Sequence, residues 1–181
     1  MNGEVMILTG PPAAGKTTVA GLLAAGAGVP TVHLATDWFY RSIRTGFVLP
    51  FLPAAERQNT VVIEAIVRAV GAFARGGYDV VVDGIVGPWF LPPFLAVAAE
   101  DELTVSYVVL RPGLETTLTR ARERAGAELR DVEAITGLHG AFARLGDLEH
   151  HAIDTGALDA AETVDEVRRA FASGEYRLVA P

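Results

Sequence analysis

A loop that could hold phosphate groups lies near the start of the chain. Its sequence completes the pattern G-x-x-x-x-G-K-[ST], directly after an apolar run and directly before a helical pattern. Glycines let such a loop turn so that successive backbone N–H groups point at phosphate oxygens, and the start of the following helix adds positive potential. The spacing predicts a nucleotide triphosphate site, called the phosphate loop below, with contacts from Gly10, Ala13, Ala14, Gly15, Lys16, Thr17 and Thr18.

Two side chains of this loop carry their own chemistry. Lys16 is the only lysine of the chain, and an ammonium group at this position reaches the β- and γ-phosphates. The hydroxyl of Thr17 is expected to bind Mg²⁺. Lys16 is therefore a candidate catalytic cation as well as a nucleotide contact, and ATP with Mg²⁺ is the expected cofactor pair.

A carboxylate that could accept a substrate proton follows the second apolar run, in TVHLATDWFYR. Asp37 would lie at the carboxyl edge of the sheet beside the phosphate loop, where it could orient an acceptor hydroxyl and take its proton. Arg41 follows four residues later and could clamp a polar or anionic acceptor group from the same helical face. A helix cap for Asp37 and a solvated surface position for Arg41 remain the alternatives.

A second acid ends the apolar run YDVVVDG. Asp83 fits a carboxylate that holds Mg²⁺ together with Thr17, usually through water, or that contacts the acceptor. The alternative is a turn aspartate, because Asp-Gly pairs favour turns.

The arginine-rich stretch TLTRARERAGAELRD could contact phosphate. Arg120 and Arg124 share a helical face at a spacing of four residues, and guanidinium groups here could neutralise charge on a transferred phosphoryl group and exclude water. We expect a lid at about residues 120–131. A surface helix with many ion pairs is the alternative.

Two aromatic, proline-rich stretches follow the two acids. Residues 38–53 form a candidate acceptor segment, and Trp89 lies in GIVGPWFLPPF after Asp83. Apolar walls with a few polar groups suit a small, partly apolar molecule, whereas ordinary core packing is the alternative for these rings. His33 alternates along a strand and is expected to be structural, so no histidine receives a role.

Short apolar runs alternate with helical patterns along the whole chain, which indicates a parallel sheet covered by helices. Residues 38–53 and 120–130 break this alternation. Insertions at the carboxyl ends of strands are where open parallel sheets bind ligands. Strands are predicted at 5–8, 31–34, 80–82, 104–110 and 152–153, and helices at about 16–25, 54–75, 114–124, 131–145 and 160–172.

The composition narrows the class of protein. The 181 residues suit one domain covering 1–181, half of them are hydrophobic, and the formal charge of −7 argues against a general nucleic-acid binder. The absence of cysteine excludes disulfides and thiolate sites. The N-terminus lacks a signal-peptide pattern and the longest apolar stretch is too short for a membrane span, so a cytoplasmic protein without a membrane partner is expected. Oligomeric state cannot be read from the sequence.

Taken together, GPPAAGKT, the aspartate after the second strand, VVVDG, the arginine-bearing segment and HAIDTGALDAAETVDEV resemble small P-loop kinases. The resemblance is to the chloramphenicol phosphotransferase-like group and to zeta-toxin-like and polynucleotide-kinase-like phosphotransferases. It implies an α/β, three-layer P-loop NTPase fold, with a five-stranded parallel sheet in the order 2-3-1-4-5 and an arginine-bearing lid. By this resemblance Asp37 matches the catalytic base, Arg120 and Arg124 match lid arginines, and Thr155 and Gly156 would lie near adenine.

The expected function is transfer of the γ-phosphate of ATP to a hydroxyl of a small, partly apolar acceptor such as an antibiotic, with Asp37, Arg41, Asp83 and Trp89 on the acceptor side. A nucleic-acid 5′-hydroxyl, a nucleoside or a UDP-sugar are alternative acceptors. A nucleotide-binding regulatory switch with little turnover is the alternative outside enzyme chemistry.

Overall fold

A five-stranded parallel sheet in the order β2-β3-β1-β4-β5 forms the centre of the molecule. The computed structural model describes residues 2–123 and 131–178. The class and the strand order implied by the resemblance are confirmed. The strands are β1 (Val5–Thr9), β2 (Thr31–Ala35), β3 (Asp79–Asp83), β4 (Val105–Leu110) and β5 (Ala152–Ile153); the helices are α1 (Lys16–Ala25), α2 (Thr36–Arg41), α3 (Glu56–Arg75), α4 (Leu91–Asp101), α5 (Leu114–Glu123), α6 (Val132–Ala141) and α7 (Ala160–Ser173).

Alternate residues of the central strands face opposite helical layers, as the two-residue period of a strand requires. Val5 and Ile7 of β1 pack with α3 and α4, whereas Met6 and Leu8 pack with α1 and α7. Because both faces are covered, the central strands read as continuous apolar runs. Side chains at positions 81 and 83 of β3 therefore share the face that meets α1.

One helix was missed by the sequence prediction. The helix α4 begins at Leu91 and carries Pro92 and Pro93 in its first turn, where backbone N–H groups have no partner within the helix and proline is tolerated. The helix α2 was expected only as a helical face shared by Asp37 and Arg41. It is six residues long, too short for a helical period to show in the sequence.

The inner face of α3 also differs in part from prediction. The sequence predicts an apolar stripe of Val62, Ile66, Ala69, Val70 and Phe73 on this helix. The ring of Phe73 is instead 41% exposed and packs edge-on against Tyr78. Ile63 and Val67 are buried in the core instead. Among the helices within residues 2–123 and 131–178, none combines the length and the apolar character needed to cross a bilayer.

The edge of β4 is shared between β5 and the C-terminal residues. The two residues of β5 pair with the end of β4, and the tail runs antiparallel beside its beginning, with Leu178 N–H donating to the carbonyl oxygen of Val105 at 2.8 Å. The tail thereby covers backbone groups that the short β5 leaves open.

A buried histidine lies between β4 and this tail. His151 is 2% exposed, its Nδ1 is 2.8 Å from the carbonyl oxygen of Tyr107, and its ring meets Tyr176 edge-on. Burial is the main cause that lowers the pKa of His151, with a smaller contribution from neighbouring His150 and an opposing one from the Tyr107 carbonyl. Protonation of His151 therefore favours the unfolded chain.

We expect the free energy of unfolding to fall as the pH drops below about 6.5, where an unfolded histidine takes up its proton but His151 does not. His151→Asn keeps a donor near the Nδ1 position and cannot be protonated, so its unfolding free energy should fall less between about pH 6.5 and about pH 5. The uptake of this one proton can lower the unfolding free energy of the wild type by at most about 1.4 kcal/mol per pH unit. Urea denaturation across this range measures it, and identical slopes in both proteins would contradict the assignment.

Candidate functional site

The phosphate loop lies tightly against the end of β4. Gly10 has a φ of +140°, and a Cβ at this residue would lie 2.1 Å from the carbonyl oxygen of Leu110. Gly15, with a φ of +88°, caps the start of α1. Ala13 also adopts a positive φ, of 60°, although it is not glycine. The first glycine is thus required by a close approach of two backbones as well as by its conformation.

Lys16 lies over this loop at the start of α1. Its side chain is largely buried at 8% exposure, and Nζ donates a hydrogen bond to the carbonyl oxygen of Pro11 at 2.8 Å. A cation held here is close to the backbone N–H groups that would surround a phosphate. The geometry therefore suits the predicted phosphate contact.

Thr17, Asp83 and His33 form a chain of hydrogen bonds at the carboxyl edge of the sheet. Thr17 Oγ1 donates to Asp83 Oδ1 at 3.3 Å, and His33 Nε2 lies 3.1 Å from Asp83 Oδ2. The Asp83 side chain is only 4% exposed, whereas that of His33 is 20% exposed. The predicted pair of Thr17 and Asp83 is brought together, and His33 is a contact that sequence reasoning missed. The alternation of side chains along β2 could have indicated this contact, because it directs His33 to the same face of the sheet as Asp83.

The donor set of this pair fits Mg²⁺. A hydroxyl and a carboxylate are hard oxygen donors, and Mg²⁺ in phosphate-transfer sites uses one or two such groups with substrate phosphates and water. Across residues 2–123 and 131–178, no group of three or more histidine and acidic side chains forms a metal cage. A metal at Thr17 and Asp83 would therefore depend on bound phosphate for its remaining ligands.

The loop that follows Asp83 is fixed from both sides. Thr9 Oγ1 accepts a hydrogen bond from Val86 N–H, and the buried Tyr107 hydroxyl donates to the carbonyl oxygen of Val86, both at 2.9 Å. Burial raises the pKa of Tyr107, so this hydroxyl keeps its proton. The backbone after Asp83 is consequently held by core residues.

Asp37 lies in the first turn of the helix that leaves the same edge. Ala35 pairs with Asp83 across β2 and β3, and the side chain of Thr36 packs so closely against Gly84 that a Cβ there would lie 1.9 Å from Thr36 Oγ1. The first turn of α2, which contains Asp37, therefore lies immediately beside the end of β3. Its side chain is 73% exposed, so it is open to an incoming molecule.

Arg41 forms an ion pair with Asp37 across one turn of α2. Arg41 Nη2 lies 3.8 Å from Asp37 Oδ2, and both side chains are mostly exposed, so the pair contributes little to stability. Burial, with a smaller effect from the Asp37 charge, raises the pKa of nearby Tyr40 to about 12. The two acceptor residues predicted on α2 thus lie together on one face.

Residues 44–52 are fastened to α3 by two amide side chains. Gln58 Oε1 accepts from Val48 N–H at 2.9 Å, and Gln58 Nε2 donates to the Val48 carbonyl oxygen at 2.8 Å. Asn59 Nδ2 donates to the Pro50 carbonyl oxygen at 2.8 Å. Sequence reasoning missed both residues, although polar amides at the start of an amphipathic helix, next to a proline-rich segment, were a usable signal.

Two tryptophans predicted on the acceptor side are exposed. Trp38 is 58% exposed with its ring centroid 6.0 Å from that of His33, which contacts Asp83. Trp89 is 50% exposed and packs over Gly87, where a Cβ would lie 2.2 Å from the indole ring. The centroid of its ring lies 6.0 Å from that of Phe142. Neither tryptophan is buried in the core, and the place of Trp89 on the acceptor side stays a prediction.

A cleft of about 400 Å³ opens on the other side of the phosphate loop. Arg120 lies in this cleft, and its Nη2 donates to the carbonyl oxygens of Thr155 and Leu158 at 3.3 and 3.5 Å. Thr155 is buried, and Gly156 N–H donates to Asp154 Oδ1 at 2.8 Å. The described lining is Ala13, Ala14, Gly15, Thr18, Val19, Arg120, Glu123, Leu158, Asp159, Ala160 and Thr163.

Thr155 and Gly156, the two residues predicted near adenine, are not part of this lining, whereas Leu158 and Asp159, which follow them, are. Thr155 reaches the cleft only indirectly, because its carbonyl oxygen accepts the hydrogen bond from Arg120. Arg124 and most of the predicted lid at 120–131 lie outside the described residues, so their assignment stays a prediction.

Comparisons with known proteins agree with this fold. Residues 5–144 match a family model described as an AAA domain. A tunicamycin resistance protein from Deinococcus radiodurans is 16% identical with a TM-score of 0.69, covering 93% of this chain and 95% of its own. A gluconokinase from Sinorhizobium meliloti 1021 is 18% identical with a TM-score of 0.65, covering 95% and 93%.

An APS kinase from Mycobacterium tuberculosis, solved with AMPPNP and APS, is 18% identical with a TM-score of 0.65, covering 94% of this chain and 98% of its own. A search of functionally curated proteins gives no match. At these identities the solved structures show a shared fold. The expected resemblance to small P-loop kinases is confirmed at that level.

The approach of Gly10 to Leu110 gives a test of the loop. Gly10→Ala adds a Cβ that must displace backbone, so we expect a loss of more than about 3 kcal/mol of unfolding free energy, together with loss of ATP binding. Gly146→Ala is the matched control, because Gly146 also has a positive φ but open space around its Cβ position. It should lose about 1 kcal/mol and keep its nucleotide affinity. Denaturant unfolding and calorimetric titration with ATP measure both, and equal effects would contradict the close approach.

Proposed function

The chain belongs to the AAA domain family, and from that premise we propose that it is an ATP-dependent phosphotransferase. It would move the γ-phosphate of ATP to a hydroxyl of a small, partly apolar molecule, with antibiotics among the candidate acceptors. Because the reaction draws on ATP, we propose that it runs in the cytoplasm.

One observation supports this proposal: the phosphate loop and the start of α2, which we assign to the nucleotide side and the acceptor side, meet at Asp83 on the carboxyl edge of the sheet. Thr17 of the phosphate loop donates to Asp83. Ala35, which precedes Asp37 by two residues, pairs with Asp83 across the parallel strands β2 and β3. A regulatory switch needs the first side alone. An exposed carboxylate beside the second side supports transfer to an acceptor.

The residues of the chain divide the work of phosphoryl transfer. Backbone N–H groups of the phosphate loop and the Lys16 ammonium would hold the β- and γ-phosphates. Arg120 would lie beside the nucleotide in the cleft that it shares with Thr18. Mg²⁺, held by Thr17 and Asp83, would neutralise phosphate charge. Arg124 stays a candidate for contacting the transferred group.

The transfer itself exchanges one bond to phosphorus for another. The acceptor oxygen forms a bond to the γ-phosphorus, the bond from that phosphorus to the β–γ bridging oxygen breaks, and ADP leaves with the electron pair. The hydroxyl proton passes to the Asp37 carboxylate. Arg41, paired with Asp37, would orient the base and contact polar groups of the acceptor.

The walls of the acceptor side support a partly apolar molecule. Trp38 and Trp89 each expose about half of their surface, and Trp38 lies against His33. Such rings bind apolar or ring-shaped groups through their faces. Residues 37–53 carry three charged side chains, Asp37, Arg41 and Arg44, which suits a few polar groups on the acceptor.

A screen of hydroxylated compounds tests the proposal directly. The wild-type protein is incubated with ATP, Mg²⁺ and panels of amphiphilic alcohols, sugars, nucleosides, UDP-sugars and 5′-hydroxyl oligonucleotides, with mass detection of the products. Phosphorylated alcohol formed in equal amount to ADP supports it. Phosphorylation of oligonucleotides or nucleotide sugars alone would replace the acceptor class, and no product from any panel would contradict phosphotransfer.

Asp37→Asn should lower the rate of phosphoryl transfer by roughly 100-fold or more, because a positioned base contributes that much. ATP affinity should stay close to that of the wild type, since Asp37 lies on the acceptor side. Steady-state kinetics and calorimetric ATP titration separate the two effects.

Asp165→Asn is a matched control for this variant. Asp165 forms an exposed ion pair with Arg168 at 3.8 Å on α7. The control variant therefore loses the same kind of ion pair as Asp37→Asn, but on a different helix. Its turnover should equal that of the wild type. Wild-type turnover in Asp37→Asn would refute the role of the base.

Gln58→Leu should raise the KM for the acceptor roughly tenfold without changing ATP affinity. The variant removes two hydrogen bonds, each worth about 1 kcal/mol, from the segment that bounds the acceptor side. Thr60→Val is the control, because the Thr60 hydroxyl donates to the carbonyl oxygen of Glu56 within α3. An unchanged acceptor KM in Gln58→Leu would show that this segment does not contact the acceptor.

A further inference from the structure

His33 holds the Asp83 carboxylate from the side opposite Thr17. The carboxylate can only accept hydrogen bonds, so the His33 nitrogen 3.1 Å from Oδ2 carries the proton and donates it. Thr17 donates to Oδ1. Each oxygen of a nearly buried carboxylate thus has a donor from a different element.

The sheet register makes this contact a built feature. His33 pairs with Val81 in the parallel alignment of β2 and β3, and Val81 packs toward α1. Side chains two residues apart on a strand share a face, so Asp83 faces α1 as well. His33 is therefore directed to the face on which Thr17 opens α1.

We propose that His33 is a positioning residue for the metal site at Thr17 and Asp83. By occupying Oδ2, it fixes the rotation of the carboxylate and leaves Oδ1 toward Thr17 and the bound metal. The inference rests on the proposed function, because that function supplies the metal. Groups that orient a metal-binding carboxylate change metal affinity by roughly 10- to 100-fold when removed.

The contact also ties the metal site to the acceptor side. Trp38, the residue after Asp37, lies with its ring centroid 6.0 Å from that of His33. His33 therefore lies between the carboxylate at the metal site and the first ring of the acceptor wall. Loss of the imidazole would free Asp83 to rotate while the phosphate loop keeps its own backbone contacts.

The test measures metal-dependent nucleotide binding, which requires no acceptor. A non-hydrolysable ATP analogue is titrated by calorimetry at increasing Mg²⁺ concentrations into the wild type, His33→Leu, His33→Gln and His33→Asn. We expect His33→Leu to need roughly tenfold more Mg²⁺ for the half-maximal increase in affinity for the analogue. Its affinity for the analogue without metal should stay within about twofold of the wild type.

The polar variants keep the test decisive if His33→Leu fails to fold. Glutamine can place a donor near the Nε2 position and should recover the wild-type Mg²⁺ dependence, whereas the shorter asparagine should behave like the leucine variant. His139→Leu is the matched control. Its Nε2 lies 3.0 Å from the Pro112 carbonyl oxygen, so it loses a comparable hydrogen bond far along the chain from Asp83 and should keep the wild-type Mg²⁺ dependence.

The outcomes separate this inference from the proposed function. Wild-type Mg²⁺ dependence in His33→Leu or His33→Asn overturns the positioning role alone. The positioning role is also overturned if these variants lose as much nucleotide affinity without Mg²⁺ as with it, because His33 would then support the phosphate loop itself. A wild-type protein whose nucleotide affinity is indifferent to Mg²⁺ overturns both the inference and the metal site in the proposed function.

Discussion

The burial of the Asp83 carboxylate is the constraint around which the site is organised. A carboxylate removed from water must find donors for both oxygens, because an unpaired buried charge costs several kcal/mol. Here one donor comes from α1 and the other from β2. The acid thus links the start of α1 to β2 and β3 at the carboxyl edge of the sheet.

The two parts of the candidate site are held by different kinds of contact. The phosphate loop is held by backbone against backbone, as in the approach of Gly10 to Leu110, so its shape depends on glycine where a side chain would clash. Residues 44–52, which belong to the predicted acceptor segment, depend on amide side chains such as Gln58 that fasten them to α3. An acceptor wall shaped by side chains would allow the acceptor to differ between proteins that share this fold.

The sequence was most informative where a local rule operates. The phosphate loop could be read because its glycines answer a backbone requirement at fixed spacing, and the sheet because buried parallel strands are continuous apolar runs. The helix α4 was missed because proline is tolerated in the first turn of a helix but not in its interior, and composition alone does not show where a helix begins. His33 was judged structural because alternation gives the face of a strand residue but not the neighbour on that face.

The sequence by itself determined the fold class, the phosphate loop and the presence of an acid after each of two strands, since these follow from spacing and periodicity along the chain. Only the tertiary structure decided that Asp83 is shared between Thr17 and His33, that Arg120 connects the cleft to the Thr155 carbonyl, and that Gln58 holds the acceptor segment. Each of these contacts joins residues from different elements, and the register of the sheet and the packing of helices set their distances.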